Sequence, residues 1–262
     1  MSHMPFTIDL QGRQALVTGA GQGVGRAIAL ALGSAGASVA VNDFVPDRAE
    51  AVAGEVRAAG GSAVAAPFDV SDFDGVMSAV GQVGNVDVLV NNAGNAGPEG
   101  FNLGPFVETG PSDWTRYFAV NLFGVMHCTR AVLPAMIERR DGRVVTIISD
   151  AARWGEPYMG AYAAAKAGAA GFSRSIAREV GRHGITANCI ALGTIGPPEE
   201  AAEADMSPEQ ADRLHKQLRP YIIRRRGRPE DISGLVTFLA SPLASWITGQ
   251  TYPVNGGYTV NQ

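Results

Sequence analysis

Tyr162 and Lys166 stand four apart in the run Ala161-Tyr162-Ala163-Ala164-Ala165-Lys166, a spacing that puts both on one face of a helix. An ammonium beside a phenol favours the phenolate and draws the tyrosine pKa down from about 10 toward the working range. Such a pair exchanges a proton with an alcohol or ketone oxygen as general acid and base. The same spacing also describes an ordinary helix with one aromatic and one snorkelling lysine. Composition favours the chemical reading, because of 21 cations only Lys166 and Lys216 are lysine. Arginine neither gives up a proton nor offers so compact a charge. Lys216 reads as an ordinary charge of the 194–220 lid.

Ser149 lies 13 residues before Tyr162 and closes the apolar run Arg143–Ile148. A hydroxyl at the carboxyl end of a parallel strand faces the ligand crevice and is able to hydrogen-bond a substrate carbonyl as charge develops. Asn121 falls inside a long helical segment. A buried Asn there needs partners, so it either ties helix to strand or holds a water.

A second constellation follows Ala15-Leu16-Val17: Thr18-Gly19-Ala20-Gly21-Gln22-Gly23-Val24-Gly25. Glycines at a strand-to-helix turn let backbone approach a pyrophosphate, and the helix N-terminus offers N–H groups to it. The pattern is G-x-x-x-G-x-G rather than the usual G-x-G-x-x-G, with Val24 at the last position of the usual form. Asp43, 18 residues beyond Gly25 and at the end of the second strand, suits the hydroxyls of an adenosine ribose and repels a 2′-phosphate. No Arg or Lys adjoins Asp43 in sequence, and Gln22 stands where a cation would hold that phosphate. NAD is therefore expected over NADP. Asp69 and Val70 are placed to frame adenine, although Asp at a strand end also serves as a helix cap.

These residues need a particular framework. Apolar runs at Ala15–Val17, Ser38–Asn42, Ala63–Pro67, Val86–Val90, Arg143–Ile148, Ile185–Ala191 and Thr251–Val254 predict strands. Periodic segments at 23–35, 47–59, 72–83, 160–182 and 230–240 predict helices, with a further long helix carrying Trp114, Phe118, Val120 and Val125. Strand and helix in alternation imply right-handed parallel crossovers. The fold class is α/β, a single doubly wound Rossmann-type domain over residues 5–262 with about seven parallel strands and helices on both faces. Residues 95–111 read as an irregular loop, and 194–220 as a substrate lid with a helical insertion at 198–219.

The chain has 262 residues, 33 of them Gly, 46% hydrophobic residues and a formal charge of −4. This balance disfavours nucleic acid and anionic membranes as partners. Cys128 and Cys189 are too few and too far apart for a disulfide framework or zinc site, so no metal is expected. No 18-residue apolar stretch or leader is evident, and a cytoplasmic setting follows. Met1-Ser2-His3-Met4 reads as a cloning scar on residues 1–4, with a native start at Met4.

Thr18–Gly25, Asn91-Asn92-Ala93-Gly94, Asn121, Ser149 and Tyr162-x-x-x-Lys166, in this order and at these intervals, resemble the classical short-chain dehydrogenase/reductase (SDR) family. The likeness extends from about Ile8 to Gly257. It implies Tyr162 as acid/base, Lys166 lowering its pKa and binding the nicotinamide ribose, Ser149 orienting substrate and Asn121 anchoring a relay water. It implies cofactor contacts at Gly19, Gln22, Gly23, Val24, Gly25, Asp43, Asp69, Val70, Asn92, Gly94, Tyr162, Lys166 and Ile195, and a homotetramer. Two departures stand out: after the sixth strand Leu192-Gly193 lacks the family's Pro and Pro197 occupies the place of a frequent Thr, and the loop after Gly94 is several residues longer than in the family's acyl-carrier reductases, bringing Phe101, Leu103 and Phe106 toward a pocket wall. The run Val132–Arg153 is similar to dehydrogenases of 2-hydroxycyclohexanecarboxyl-coenzyme A. With Trp154, Tyr158 and Met159 expected at the substrate pocket, the resemblance implies a small-molecule substrate, a 3-hydroxyacyl-CoA bearing an alicyclic or steroid-derived ring, with Arg224–Arg228 near its phosphates. Alternatives are a 3-oxoacyl-thioester reductase, a dehydrogenase of free cyclic alcohols or steroids, and a non-catalytic NAD-binding regulator.

Overall fold

A computed structural model describes residues 7–94, 104–196 and 206–260. The residues read as a cloning scar lie outside this set, as do much of the 95–111 loop and Pro197. Seven strands form one sheet in the order β3-β2-β1-β4-β5-β6-β7, all pairs parallel. In chain order they are β1 (Gln14–Val17), β2 (Ser38–Val41), β3 (Ser62–Ala65), β4 (Val88–Asn91), β5 (Gly142–Ser149), β6 (Ile185–Leu192) and β7 (Thr251–Val254). The helices are α1 (Gly23–Ser34), α2 (Pro46–Ala58), α3 (Phe73–Val83), α4 (Pro111–Phe118), α5 (Gly124–Arg139), α6 (Gly160–Val180), α7 (Pro208–Leu218) and α8 (Glu230–Ala240).

Alternation along the strands divides the interior in two. Val17, Val39, Val90 and Val145 face one side with Ile28 and Leu32 of α1, Val52 and Val56 of α2, and Ile232 and Val236 of α8. Leu16, Ala40, Leu89 and Val144 face the other, against Val76 and Val80 of α3, Val132 and Met136 of α5, and Val180 of α6. Because β1 pairs with both β2 and β4, the strand order reverses there. A crevice opens beyond the carboxyl ends at such a switch point.

Three expectations change. The loop expected through Pro111 contains a 3₁₀ turn at Phe106–Glu108, and Pro111 begins α4; proline's fixed φ suits the first helical position. The single long helix is broken by a π-helical turn at Ala119–Phe123. The span Pro111–Arg139 is also long and apolar enough, by length and composition, to cross a membrane, contrary to the expectation of no 18-residue apolar stretch. Its apolar window is 44% buried within the protein, as a helix laid on a sheet requires.

Candidate active site

β1 delivers Thr18 into the switch-point crevice, and β4 delivers Asn92. Their side chains knit the two strand ends together: Asn92 Nδ2 donates to the carbonyls of Thr18 and Gly19 at 2.9 and 3.0 Å, and Thr18 Oγ1 accepts the N–H groups of Asn92 and Ala93 at 3.0 Å each. Gly19 holds φ +60°, and a Cβ there would stand 2.8 Å from the Ala93 Cα. The turn therefore needs glycine both for its dihedral and for its proximity to β4. α1 starts at Gly23 with no side-chain cap and no acid in its first turn, which leaves its N-terminal N–H groups and positive dipole end available to an anion.

Asn121 sits in the π-helical turn, fully buried. Opening the turn to the wider spacing, with the Gly124 N–H on the Ala119 carbonyl, lets Asn121 Nδ2 donate to the Tyr117 carbonyl at 3.0 Å. π-turns of this kind recur at functional sites. Through this bond the amide is tied to its own helix.

β5 ends at Ser149, whose Oγ accepts the Ala151 N–H at 3.2 Å and hydrogen-bonds Tyr162 on α6. Lys166, one turn on, is 4% exposed and donates from Nζ to the Ile147 carbonyl at 3.0 Å. Burial lowers its pKa to about 8. Burial also raises the Tyr162 pKa, with the Ser149 hydrogen bond pulling the other way. The Lys166 ammonium is held by a backbone carbonyl, and desolvation is the largest influence on the phenol.

One cleft of about 770 Å³ gathers these groups. Its walls include Gly19, Gln22, Gly23, Val24, Gly25, Asn92, Gly94, Ser149, Tyr162, Lys166 and Ile195. The uncapped helix end, the glycine cradle and the volume fit a dinucleotide. Asp43, Asp69 and Val70 lie outside that lining. Asp43 accepts the N–H groups of Gly21 and Val45 at 3.2 and 3.0 Å; Asp69 accepts Ser71 through both its N–H and its hydroxyl at 2.8 Å; the Val70 carbonyl meets His127 Nδ1 at 2.9 Å. The absence of a cation in sequence beside Asp43 does not carry into space. Arg48, in the first turn of α2, packs its Cβ against Gly21 on the Asp43 side of the loop.

The substrate side differs more from expectation. Met159 lines the cleft. Tyr158 lines a neighbouring chamber but is 63% exposed, and Trp154 is 61% exposed and lines neither. The reason is the turn Asp150–Ala152, which draws Arg153 inward to Asp150 and Thr259 at 3.1 and 3.2 Å and leaves Trp154 facing outward. Arg225 is held by Asp231 at 2.6 and 2.9 Å, and Arg226 by Gln217 at 2.8 Å, so both have partners within the local fold.

Sequence reasoning missed several lining groups. Glu156 and Tyr258 meet through the tyrosine hydroxyl. Tyr221 donates its hydroxyl to Thr194 Oγ1 at 2.9 Å and accepts the Thr194 N–H at 3.0 Å. Lys216 and Gln217 of α7 close one side. Only Lys216 left a sequence signal, since both lysines of the chain line this cleft.

A profile of the family described as enoyl-(acyl carrier protein) reductase matches residues 19–259. A 7alpha-hydroxysteroid dehydrogenase of Escherichia coli is 37% identical over 254 residues, covering 95% of each chain. Among solved structures, a 3-oxoacyl-(acyl carrier protein) reductase from Brucella melitensis with bound NAD superposes with a TM-score of 0.86 at 32% identity, covering 99% of both chains. A gluconate 5-dehydrogenase from Burkholderia cenocepacia, in complex with NADP and tartrate, gives 0.85 at 33%, covering 97% of this chain and 98% of its own.

Proposed function

The chain belongs to the classical short-chain dehydrogenase/reductase family and is an oxidoreductase of an alcohol/ketone pair, and from that premise we propose that it interconverts a ring-borne secondary alcohol and its ketone with NAD. The alcohol is an alicyclic or steroid-derived one, carried as a 3-hydroxyacyl-CoA or free. The observation that carries this reading is the convergence of Ser149, Tyr162 and Lys166 on the cleft into which the glycine loop opens, with Asn121 Oδ1 set against Gly94 of its wall.

The dinucleotide, when bound, supplies hydride exchange at the carbinol carbon. Everything else falls to the chain. The N–H groups at the start of α1 bind the pyrophosphate, with Gly19, Gln22, Gly23, Val24 and Gly25 allowing its approach. Asn92, Gly94 and Ile195 border the nicotinamide half. Asp43 takes the adenosine ribose hydroxyls, with Asp69 and Val70 at the adenine edge. Ser149 Oγ orients the substrate oxygen. Tyr162 Oη gives that oxygen a proton in the reductive direction and takes it in the oxidative one. Lys166 holds the nicotinamide ribose, and Asn121 holds the water through which the proton is replenished. α7 covers the substrate side of the cleft through Lys216 and Gln217, within one domain.

Arg48 beside the glycine loop favours a second reading of the cofactor, NADP, in which its guanidinium meets the 2′-phosphate. A 3-oxoacyl-thioester reductase would then be the natural reaction. The protein is read as a cytoplasmic homotetramer. Oxidation rates for cyclic alcohols, steroids and hydroxyacyl thioesters with each dinucleotide decide among these. Turnover of ring alcohols with NAD is expected, whereas turnover of 3-oxoacyl thioesters alone, with NADPH, overturns the reading.

A further inference from the structure

Beside the main cleft lies a smaller chamber of about 160 Å³ whose wall includes Phe106, Trp114 and Tyr117. Phe106 and Trp114 stack with centroids 5.3 Å apart and planes 9° apart, giving a flat aromatic wall. The volume resembles the roughly 150 Å³ cavity that accepts a benzene ring. Three residues border both spaces: Glu156, Met159 and Tyr162. The proton donor and a carboxylate therefore stand on the same partition.

A carboxylate in such a place is unusual for a purely apolar substrate, since desolvating it without a partner is costly. Glu156 is half-buried, and its Oε1 accepts the Tyr258 hydroxyl. A carboxylate has about four lone-pair sites, so one donor does not saturate it. It has room for a further O–H or N–H on the substrate side, and it repels an anion.

We propose that Glu156 determines specificity by accepting a second hydroxyl of the substrate: the ring occupies the side chamber against the Phe106–Trp114 stack, the reacting carbinol meets Tyr162, and another ring hydroxyl donates to the Glu156 carboxylate. This rests on the role of Tyr162 proposed above. A site built to accept a hydroxyl discriminates strongly against the analogue without it, because its acceptor is then left unpaired. The preferred substrates are polyhydroxylated ring alcohols.

The test compares cyclohexanol with the 1,2-, 1,3- and 1,4-cyclohexanediols in the wild-type protein and in Glu156→Leu, Glu156→Gln and Tyr258→Phe. The best diol should exceed cyclohexanol in kcat/KM by about tenfold or more. The ratio should approach one in Glu156→Leu, be intermediate in Glu156→Gln, and persist in Tyr258→Phe. If Glu156 serves only to anchor Tyr258, Tyr258→Phe erases the ratio as fully as Glu156→Leu does, and the assignment falls. It falls equally if the wild type shows no diol preference, or if the preference survives in Glu156→Leu. Should Glu156→Leu not fold, Glu156→Gln decides by the same ratio. A readout without turnover separates this from the reaction itself: the shift in Tm that each alcohol gives the Tyr162→Phe protein with NAD present. A diol shift that depends on Glu156 sustains the assignment even if no alcohol is oxidised. Diol and monoalcohol shifts equal with and without the carboxylate overturn it.

Discussion

Gly94 brings its backbone against the Lys166 ammonium and the Asn121 amide at once: a Cβ added there would stand 2.7 Å from Nζ and 2.8 Å from Oδ1. The glycine thus sets how closely the end of β4 approaches two groups assigned to the reaction. Gly94→Ala should fold, because Lys166 is a flexible chain able to retreat. The retreat breaks the Nζ contact with Ile147, and small misplacements in a site cost about 10²-fold in rate. Steady-state kinetics should show kcat/KM down at least about tenfold, with far-UV circular dichroism unchanged.

Lys166 opposes stability while serving activity. Its pKa falls from 10.5 unfolded to about 8 folded, so between these values the unfolded chain binds more protons, and stability rises with pH across that window. Below about pH 8 the full penalty is present. Lys166→Met should therefore raise stability at pH 7 by about 1–2 kcal/mol, the desolvation relief less the lost bond to Ile147, while abolishing turnover. Chemical denaturation at pH 7 and pH 10 checks this. The variant's advantage should shrink at pH 10, and a variant less stable than wild type at pH 7 would contradict it.

The cofactor preference rests on the balance of Asp43 against Arg48. Asp43→Ser removes the charge that would repel a 2′-phosphate and leaves Arg48 free to attract it. The NADP/NAD ratio of kcat/KM should rise at least about tenfold, and Arg48→Glu in the same protein should reverse the gain. A ratio unmoved by either change would remove both residues from cofactor discrimination.

The C-terminal segment is fastened beneath the reacting groups. Asp150, next to Ser149 and 2% exposed, accepts Asn255 Nδ2 and Arg153 Nη1, and Asn255 also donates to Thr259. Asn255→Ala leaves a buried carboxylate with Arg153 as its remaining side-chain donor. Thermal unfolding should register a loss of about 2 kcal/mol, with kcat/KM reduced as Ser149 shifts.

How legible this was depends on the range of the interaction. Thr251–Val254 was read to the residue, and Gly23–Ser34 to within one, because apolar periodicity and a glycine turn are local signals. The pair Tyr162 and Lys166 was equally local. The π-turn at Asn121 was invisible, since its cause is the tertiary demand to bury an amide near Gly94. So was the meeting of Glu156 with Tyr258, which no pattern 102 residues long encodes. The desolvation of Tyr162 leaves no sequence signal, because spacing reports which residues share a face, whereas burial reports how deep that face lies. Lys216, an ordinary lid charge by sequence, lines the cleft itself. Its Nζ pairs with Asp212 at 2.7 Å on an exposed helix, and only the tertiary placement of α7 brings it to the cleft.

The central claim is that the Tyr162 hydroxyl transfers the proton of an alcohol/ketone exchange. Tyr162→Phe keeps the ring and its packing and removes only that oxygen. The most direct measurement is the rate of nicotinamide reduction by this variant with a ring alcohol that the wild type oxidises, at equal dinucleotide saturation. The account predicts a fall of about 10²–10⁴-fold in kcat with folding intact; a variant turning over at the wild-type rate would contradict it.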